Sequence, residues 1–191
     1  MKKNFSLEAF GIFASLTLGL VLRLRQYLSG RSLWLDEAML ALNILQRDFA
    51  GLFQPLDYNQ GAPVGFLLAT KLFNLTLGRN ELALRLLPLL AGLMALGLFY
   101  LLLRQVTQQA GLIVALLCFA VNPQLVYYSS ELKQYMLDVA LTLGLVLVAL
   151  PAFRSTITKM PLFWLMLAGS VAVWFSHPAV FVTAGIGLAL I

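Results

Sequence analysis

Two groups of acidic residues stand where the chain should be burying apolar surface, and both are of types that move protons or hold cations. Asp36 and Glu37 are adjacent within Trp34-Leu35-Asp36-Glu37-Ala38-Met39, so at least one carboxylate shares a face with apolar side chains. Burial beside a like charge raises a carboxyl pKa, whereas a metal ion or an arginine lowers it. Either environment makes the group a candidate general base or metal ligand. A plainer reading fits the same residues: Ser32 caps an interfacial helix and the acids favour its positive end. The second group runs from Asn122 to Asp138. A helix from about Ser130 puts Glu131, Gln134, Tyr135 and Asp138 at i, i+3, i+4 and i+7, on one face. Asp138 falls about one turn into an apolar run, where an ionisable residue usually faces a cavity or a partner. Lys133 lies off this stripe and either serves the site or reaches for lipid headgroups. His177, in Phe175-Ser176-His177-Pro178, would complete a divalent-metal shell if it met Asp36, Glu37 and Asp138 at one membrane face.

These residues must be positioned by elements suited to lipid rather than water. Of the 191 residues, 61% are apolar and 11% are charged, against about 45–50% and about 25% in soluble domains. That composition excludes a water-soluble globule and points to an all-α integral membrane protein, a polytopic bundle. Apolar runs at about 7–24, 82–103, 110–127, 135–152 and 161–176 read as spans, and 179–191 as an incomplete one. The first run follows Lys2 and Lys3 and ends at Arg23 and Arg25 without a small-residue cleavage site, so it reads as a retained anchor. The stretch at about 62–77 carries Lys71 near its middle. An ammonium at the bilayer centre costs about 3 kcal/mol, so this stretch is expected to lie along the interface, with Pro63 in its first turn and Gly78 at its end.

That choice sets the parity of every later span. With Lys2 and Lys3 inside, the inner loops carry Arg104, Arg154 and Lys159 and no acid, while every acid except Glu8 falls outside. The outer cations Lys71, Arg79, Arg85 and Lys133 lie at the depth of lipid phosphates, which Lys and Arg bind well. Together they suggest an anionic lipid substrate. No basic cluster interleaved with exposed aromatics suggests nucleic acid. Cys118, inside an apolar run, reads as a buried free thiol. There is no phosphate-cradling glycine loop and no soluble nucleotide-binding domain, so an activated donor must arrive through the membrane.

Four blocks then fall in a familiar order: Trp34-Leu-Asp-Glu-Ala38; Asn59-Gln-Gly-Ala-Pro-Val-Gly-Phe66; Gly78-Arg-Asn-Glu-Leu-Ala-Leu-Arg-Leu-Leu-Pro88; and Asn122-Pro followed by Ser129-Ser-Glu-Leu-Lys-Gln-Tyr135 with Asp138. In this order they resemble the N-terminal half of the GT-C class of membrane glycosyltransferases, in the branch of the protein mannosyltransferases and the lipid A aminoarabinose transferase. The resemblance implies an inverting enzyme of the cell envelope. It would take a sugar from a polyprenyl-phosphate carrier and transfer it to a lipid, glycan or protein acceptor outside the cytoplasm, with the bacterial plasma membrane as its expected location. It implies Asp36 as catalytic base with Glu37 beside it. Asp138, and less directly Glu131, would support the site or a divalent metal, and His177 matches a His-Pro of some relatives. Lys71, Arg85, Glu131, Lys133 and Tyr135 would bind substrate. Where relatives often carry His-Pro-Pro or Glu-Lys-Pro, Gln60-Gly61-Ala62 stand here. Two other classes share the composition: a secondary transporter with Asp138 and Lys133 along its pathway, and a non-catalytic membrane subunit of the same architecture.

Overall fold

The computed structural model describes residues 2–154 and 159–190, with side chains for 7–153 and 160–190. The described residues form helices and turns and no strand: α1 (Lys2–Tyr27), α2 (Leu35–Gln46), α3 (Val64–Leu77), α4 (Glu81–Val106), α5 (Gln109–Val121), α6 (Pro123–Tyr128), α7 (Tyr135–Arg154), α8 (Lys159–Phe175) and α9 (Ala179–Ala189). Three stretches, Leu7–Tyr27, Glu81–Val106 and Tyr135–Phe153, are long and apolar enough to cross a membrane. They match the expected spans at 7–24, 82–103 and 135–152. The apolar helices α3, α5, α8 and α9 are shorter.

Local chemistry sets the helix boundaries. Asn80 starts α4 by accepting the Ala83 N–H at 2.8 Å, with Glu81 in the first turn and Arg104 in the last. Gly78, at φ +102°, ends α3 in a conformation that glycine adopts without strain. Pro63 stands just before α3 rather than inside its first turn. The expected span 110–127 is broken in two. Pro123 has no N–H to continue α5 and starts α6 instead, with the Asn122 side chain capping Gln124 and Leu125 at 3.0 and 3.1 Å. Arg23 Nη1 donates to the Ala120 carbonyl near this break at 3.2 Å. Cys118 is exposed on the outward face of α5, not buried as its apolar neighbours suggested. A one-sequence pattern cannot tell a helix face that meets another helix from one that does not.

Close approaches fix the helix directions. Gly11 meets Ile113 and Gly19 meets Ala120, so α5 runs parallel to α1. Leu96 also lies against Gly19, and the Tyr27 hydroxyl donates to the Leu82 carbonyl at 2.8 Å, so α4 runs antiparallel to α1. Leu98 approaches Gly144, and Met94 shares a hollow with Ala140, so α7 runs parallel to α4. Helix α8 returns, with the Trp174 carbonyl 2.6 Å from where a Cβ on Gly65 of α3 would stand. One end of the assembly therefore holds Glu8, Arg104 and Gln108 around a common hollow. The other end holds α2, α3, the 129–134 turn and Ser176. A core of Leu40, Ile44, Phe66, Leu67, Leu132, Met136 and Ala140 ties α2 and α3 to the start of α7 at that end.

Candidate functional site

Asp36 and Glu37 begin α2, and consecutive helical positions point about 100° apart. Their environments separate accordingly. Glu37 is fully buried. Arg31 grips it with both terminal nitrogens, Nη1 to Oε2 at 3.0 Å and Nη2 to Oε1 at 3.1 Å. Arg85 Nη2 donates to the same two oxygens at 3.3 and 3.4 Å. The Leu132 N–H donates to Oε1 at 2.7 Å and the Trp34 N–H to Oε2 at 3.2 Å. Glu37 is thus the pin joining the loop before α2, helix α4 and the 129–134 turn. Ser32 caps no helix; α2 starts at Leu35, and its N-terminal N–H partner is the Glu37 carboxylate.

Asp36, by contrast, has a side chain half open to solvent. Lys133 Nζ stands 3.4 Å from its Oδ2, and the Gln60 side-chain amide donates to its Oδ1 at 3.4 Å. Lys133 in turn donates to Gln60 Oε1 at 2.8 Å. Lys133 is therefore buried against the protein and turned toward the carboxylate. Its position off the helical stripe had left its direction open. Gln60 is aimed by strained backbone: Tyr58 and Asn59 have φ of +62° and +53°, a left-handed conformation that is unfavourable for a residue like Tyr. Asn43 holds that turn, accepting the Asp57 N–H at 2.9 Å and donating to the Asp57 carbonyl at 3.3 Å.

The expected helix from Ser130 is not formed. Residues 129–134 make an irregular turn and α7 starts at Tyr135, because Glu37 takes the Leu132 N–H and Lys133 N–H bonds back to the Glu131 carbonyl at 2.7 Å. Glu131 therefore leaves the stripe that Gln134, Tyr135 and Asp138 keep. It is nonetheless buried, with Oε2 unpartnered. Tyr135 packs on Tyr128 with centroids 5.1 Å apart, and it lies within electrostatic reach of Glu131, Asp36 and Asp138. Asp138 faces Ser176 without closing a hydrogen bond of good geometry and lies in the field of His177, which is exposed.

Two of the expected substrate-binding cations are engaged by the protein itself. Lys71 is buried and donates to the carbonyls of Ile44 at 2.8 Å and Arg47 at 2.6 Å, closing the C-terminal end of α2. Arg85 is buried between Glu37 and the Arg31 carbonyl, to which it donates at 2.7 Å. Among the described residues no three His, Cys, Asp or Glu side chains gather in a group that could hold a metal ion. Arg31 and Gln60 are the members that sequence reasoning did not select. Nothing in their spacing marks them, because each is brought in by a loop.

Burial, reinforced by the Glu37 charge, raises the Glu131 carboxyl above its ordinary range against the opposing pull of Arg31 and Lys133. A raised folded-state value means that the folded protein binds the proton more tightly. The associated stability is then fully present below the ordinary carboxyl pKa and is lost as pH rises through the raised one. Glu131→Gln removes this loss. Thermal melts of the detergent-solubilised chain should show the variant gaining on the wild type between pH 4 and pH 8, and a gap that does not change with pH would contradict the assignment.

No protein-family model, curated protein or solved structure matches the chain.

Proposed function

We propose that this chain is the donor-binding and catalytic part of a polytopic membrane glycosyltransferase that moves a sugar from a polyprenyl-phosphate carrier to an acceptor hydroxyl, with inversion. The observation that carries the reading is the convergence of Asp36 from the first turn of α2 with Gln60 and Lys133 from two separate loops, at one end of the apolar helices. A half-exposed carboxylate there can take a proton, and an ammonium beside it can hold a phosphate. Three of the four sequence blocks that resemble GT-C enzymes supply the segments that meet there.

In this scheme α1, α4 and α7 cross the bilayer, and α2 and α3 lie at its outer surface. The site then faces away from the cytoplasm, in agreement with the basic residues at the opposite end. Asp36 removes the proton from the acceptor hydroxyl as that oxygen forms a bond to the anomeric carbon on the face opposite the phosphate. The bond from the anomeric carbon to the phosphate oxygen breaks, and its electron pair leaves on polyprenyl phosphate. Lys133 stabilises the charge that develops there. Glu37 reacts with nothing: it fixes the frame on which Asp36 and Lys133 stand.

The reading is tested with the full chain in nanodiscs containing a polyprenyl-phosphate hexose. Release of polyprenyl phosphate is expected, and Lys133→Met should raise the KM for this lipid by about tenfold or more through loss of one charge-assisted phosphate contact. Repeated absence of release, with a tightly bound small solute copurifying instead, would replace the transferase by a carrier.

A further inference from the structure

The end of the assembly opposite Asp36 carries a hollow that the proposed chemistry does not use. It holds about 950 Å³ between α1, the last turn of α4 and the start of α5, and Glu8, Arg104, Thr107, Gln108 and Gln109 line it. A second hollow of about 420 Å³ shares Glu8, Arg104 and Leu112 with the first, so the two open into each other. Beyond the shared residues its walls are Ile12, Phe13 and Leu16 of α1 and Tyr100 of α4. The joined space is therefore polar where the helices end and mainly apolar where they enter hydrocarbon.

The polar part offers two opposite charges and a helix start. Among the described residues neither Glu8 nor Arg104 forms an ion pair. Arg104 is exposed, and its guanidinium stands 5.8 Å from the centre of the Tyr100 ring, one turn back on α4, at the junction of the two hollows. Gln108 makes no side-chain capping bond, so it leaves the first N–H groups of α5 uncapped, and Gln109, Ala110 and Gly111, which carry them, line the same hollow. A guanidinium beside a helix start attracts an anion. Glu8 across the hollow attracts a cation.

The combination selects among ligands. A free phosphate would leave Glu8 without a countercharge and the apolar hollow unfilled. An anionic lipid headgroup fills the apolar part but sets no cation against Glu8. A choline headgroup brings a cation without an N–H to donate, whereas a primary ammonium donates to a carboxylate. The apolar hollow runs from Glu8 to Leu16, about 12 Å along the helix, which is under half of a hydrocarbon core about 30 Å thick. It matches a chain confined to one leaflet.

We propose that this end of the protein binds a phospholipid with a phosphoethanolamine headgroup. Its phosphate lies on Arg104 and the start of α5, its ammonium on Glu8, and one acyl chain along Ile12, Phe13 and Leu16. The site is separate from Asp36 and does not rest on the transferase reading.

Native mass spectrometry of the full chain tests it, after release from nanodiscs made of equal parts phosphatidylethanolamine, phosphatidylglycerol and phosphatidylcholine with identical chains. The ethanolamine lipid should be retained about tenfold over the other two. Glu8→Gln should abolish its advantage over phosphatidylglycerol, whereas Arg104→Gln should weaken all three lipids about tenfold and Arg104→Lys, which keeps the charge, should not. Ala9→Trp fills the apolar hollow from an exposed position and should weaken all three as well. Glycerophosphoethanolamine, the headgroup without chains, should not displace the bound lipid at equal concentration. Each variant is compared only where its detergent melt matches that of the wild type. Equal retention of the three lipids by the wild type would overturn the proposal. So would an ethanolamine preference that survives Glu8→Gln, retention indifferent to Ala9→Trp, or displacement by the chainless headgroup.

Discussion

Asp36→Asn is expected to abolish sugar transfer, by about 10²–10⁴-fold, the range that a positioned general base contributes, while the protein inserts and melts as the wild type does. The asparagine keeps the shape and the contact with the Gln60 amide but cannot accept the acceptor's proton. Its cost to the fold is small because the carboxylate is half exposed and its ion pair with Lys133 is 3.4 Å long; pairs of that kind contribute about 0–1 kcal/mol. Single-turnover transfer in nanodiscs measures the rate, and a detergent melt measures the fold. An Asp36→Asn protein that transfers at the wild-type rate would remove Asp36 from the chemistry.

Glu37→Gln, one residue away, is expected to do the opposite, destabilising the fold by about 3–5 kcal/mol, the usual cost of removing one partner from a buried charge cluster. The reason lies in its partners. Arg85 is only 2% exposed on its side chain and Arg31 is 21% exposed, and without the carboxylate both guanidinium groups would lack their buried countercharge. A glutamine offers one acceptor where Arg31, Arg85, Trp34 and Leu132 now share two. Loss of the folded fraction in a melt, followed by loss of activity, is the expected result. A Glu37→Gln protein with wild-type melting and no transfer would instead make Glu37 a reacting group. The pair of variants thus separates proton transfer from scaffold.

The contrast between these neighbours shows where the sequence stops being informative. The long apolar runs make α1, α4 and α7 legible, because about 20 apolar residues in a row satisfy lipid without reference to the rest of the chain. The end of the assembly at which the acids gather is legible too, because each span reverses the chain and Asp36, Glu131 and Asp138 are separated by an even number of reversals. The break at Asn122-Pro123 reads from chemistry as a helix start, but a window of mean hydropathy passes over it.

The division of labour within Asp36-Glu37 was not legible. Two adjacent carboxylates look alike until helix α2 turns one toward Arg31 and Arg85 and leaves the other at the surface. Lys71 and Lys133 show the same limit. By composition both are interfacial cations suited to phosphate, yet one closes the end of α2 on two carbonyls and the other stands beside Asp36. The spacing of 130–138 suits a helix because propensities are local, whereas the bond from the Leu132 N–H to Glu37 that makes 129–134 a turn spans 95 residues.

The sequence by itself determined the solvent, the long helices and their alternation, since burial of apolar runs and the cost of lipid-embedded charge depend on composition and order alone. Only the tertiary structure decided which charged groups are satisfied by the protein and which remain open to a ligand. That depends on loops brought together across the chain, and a hydrogen-bond partner far away in sequence leaves no mark on the spacing of residues nearby.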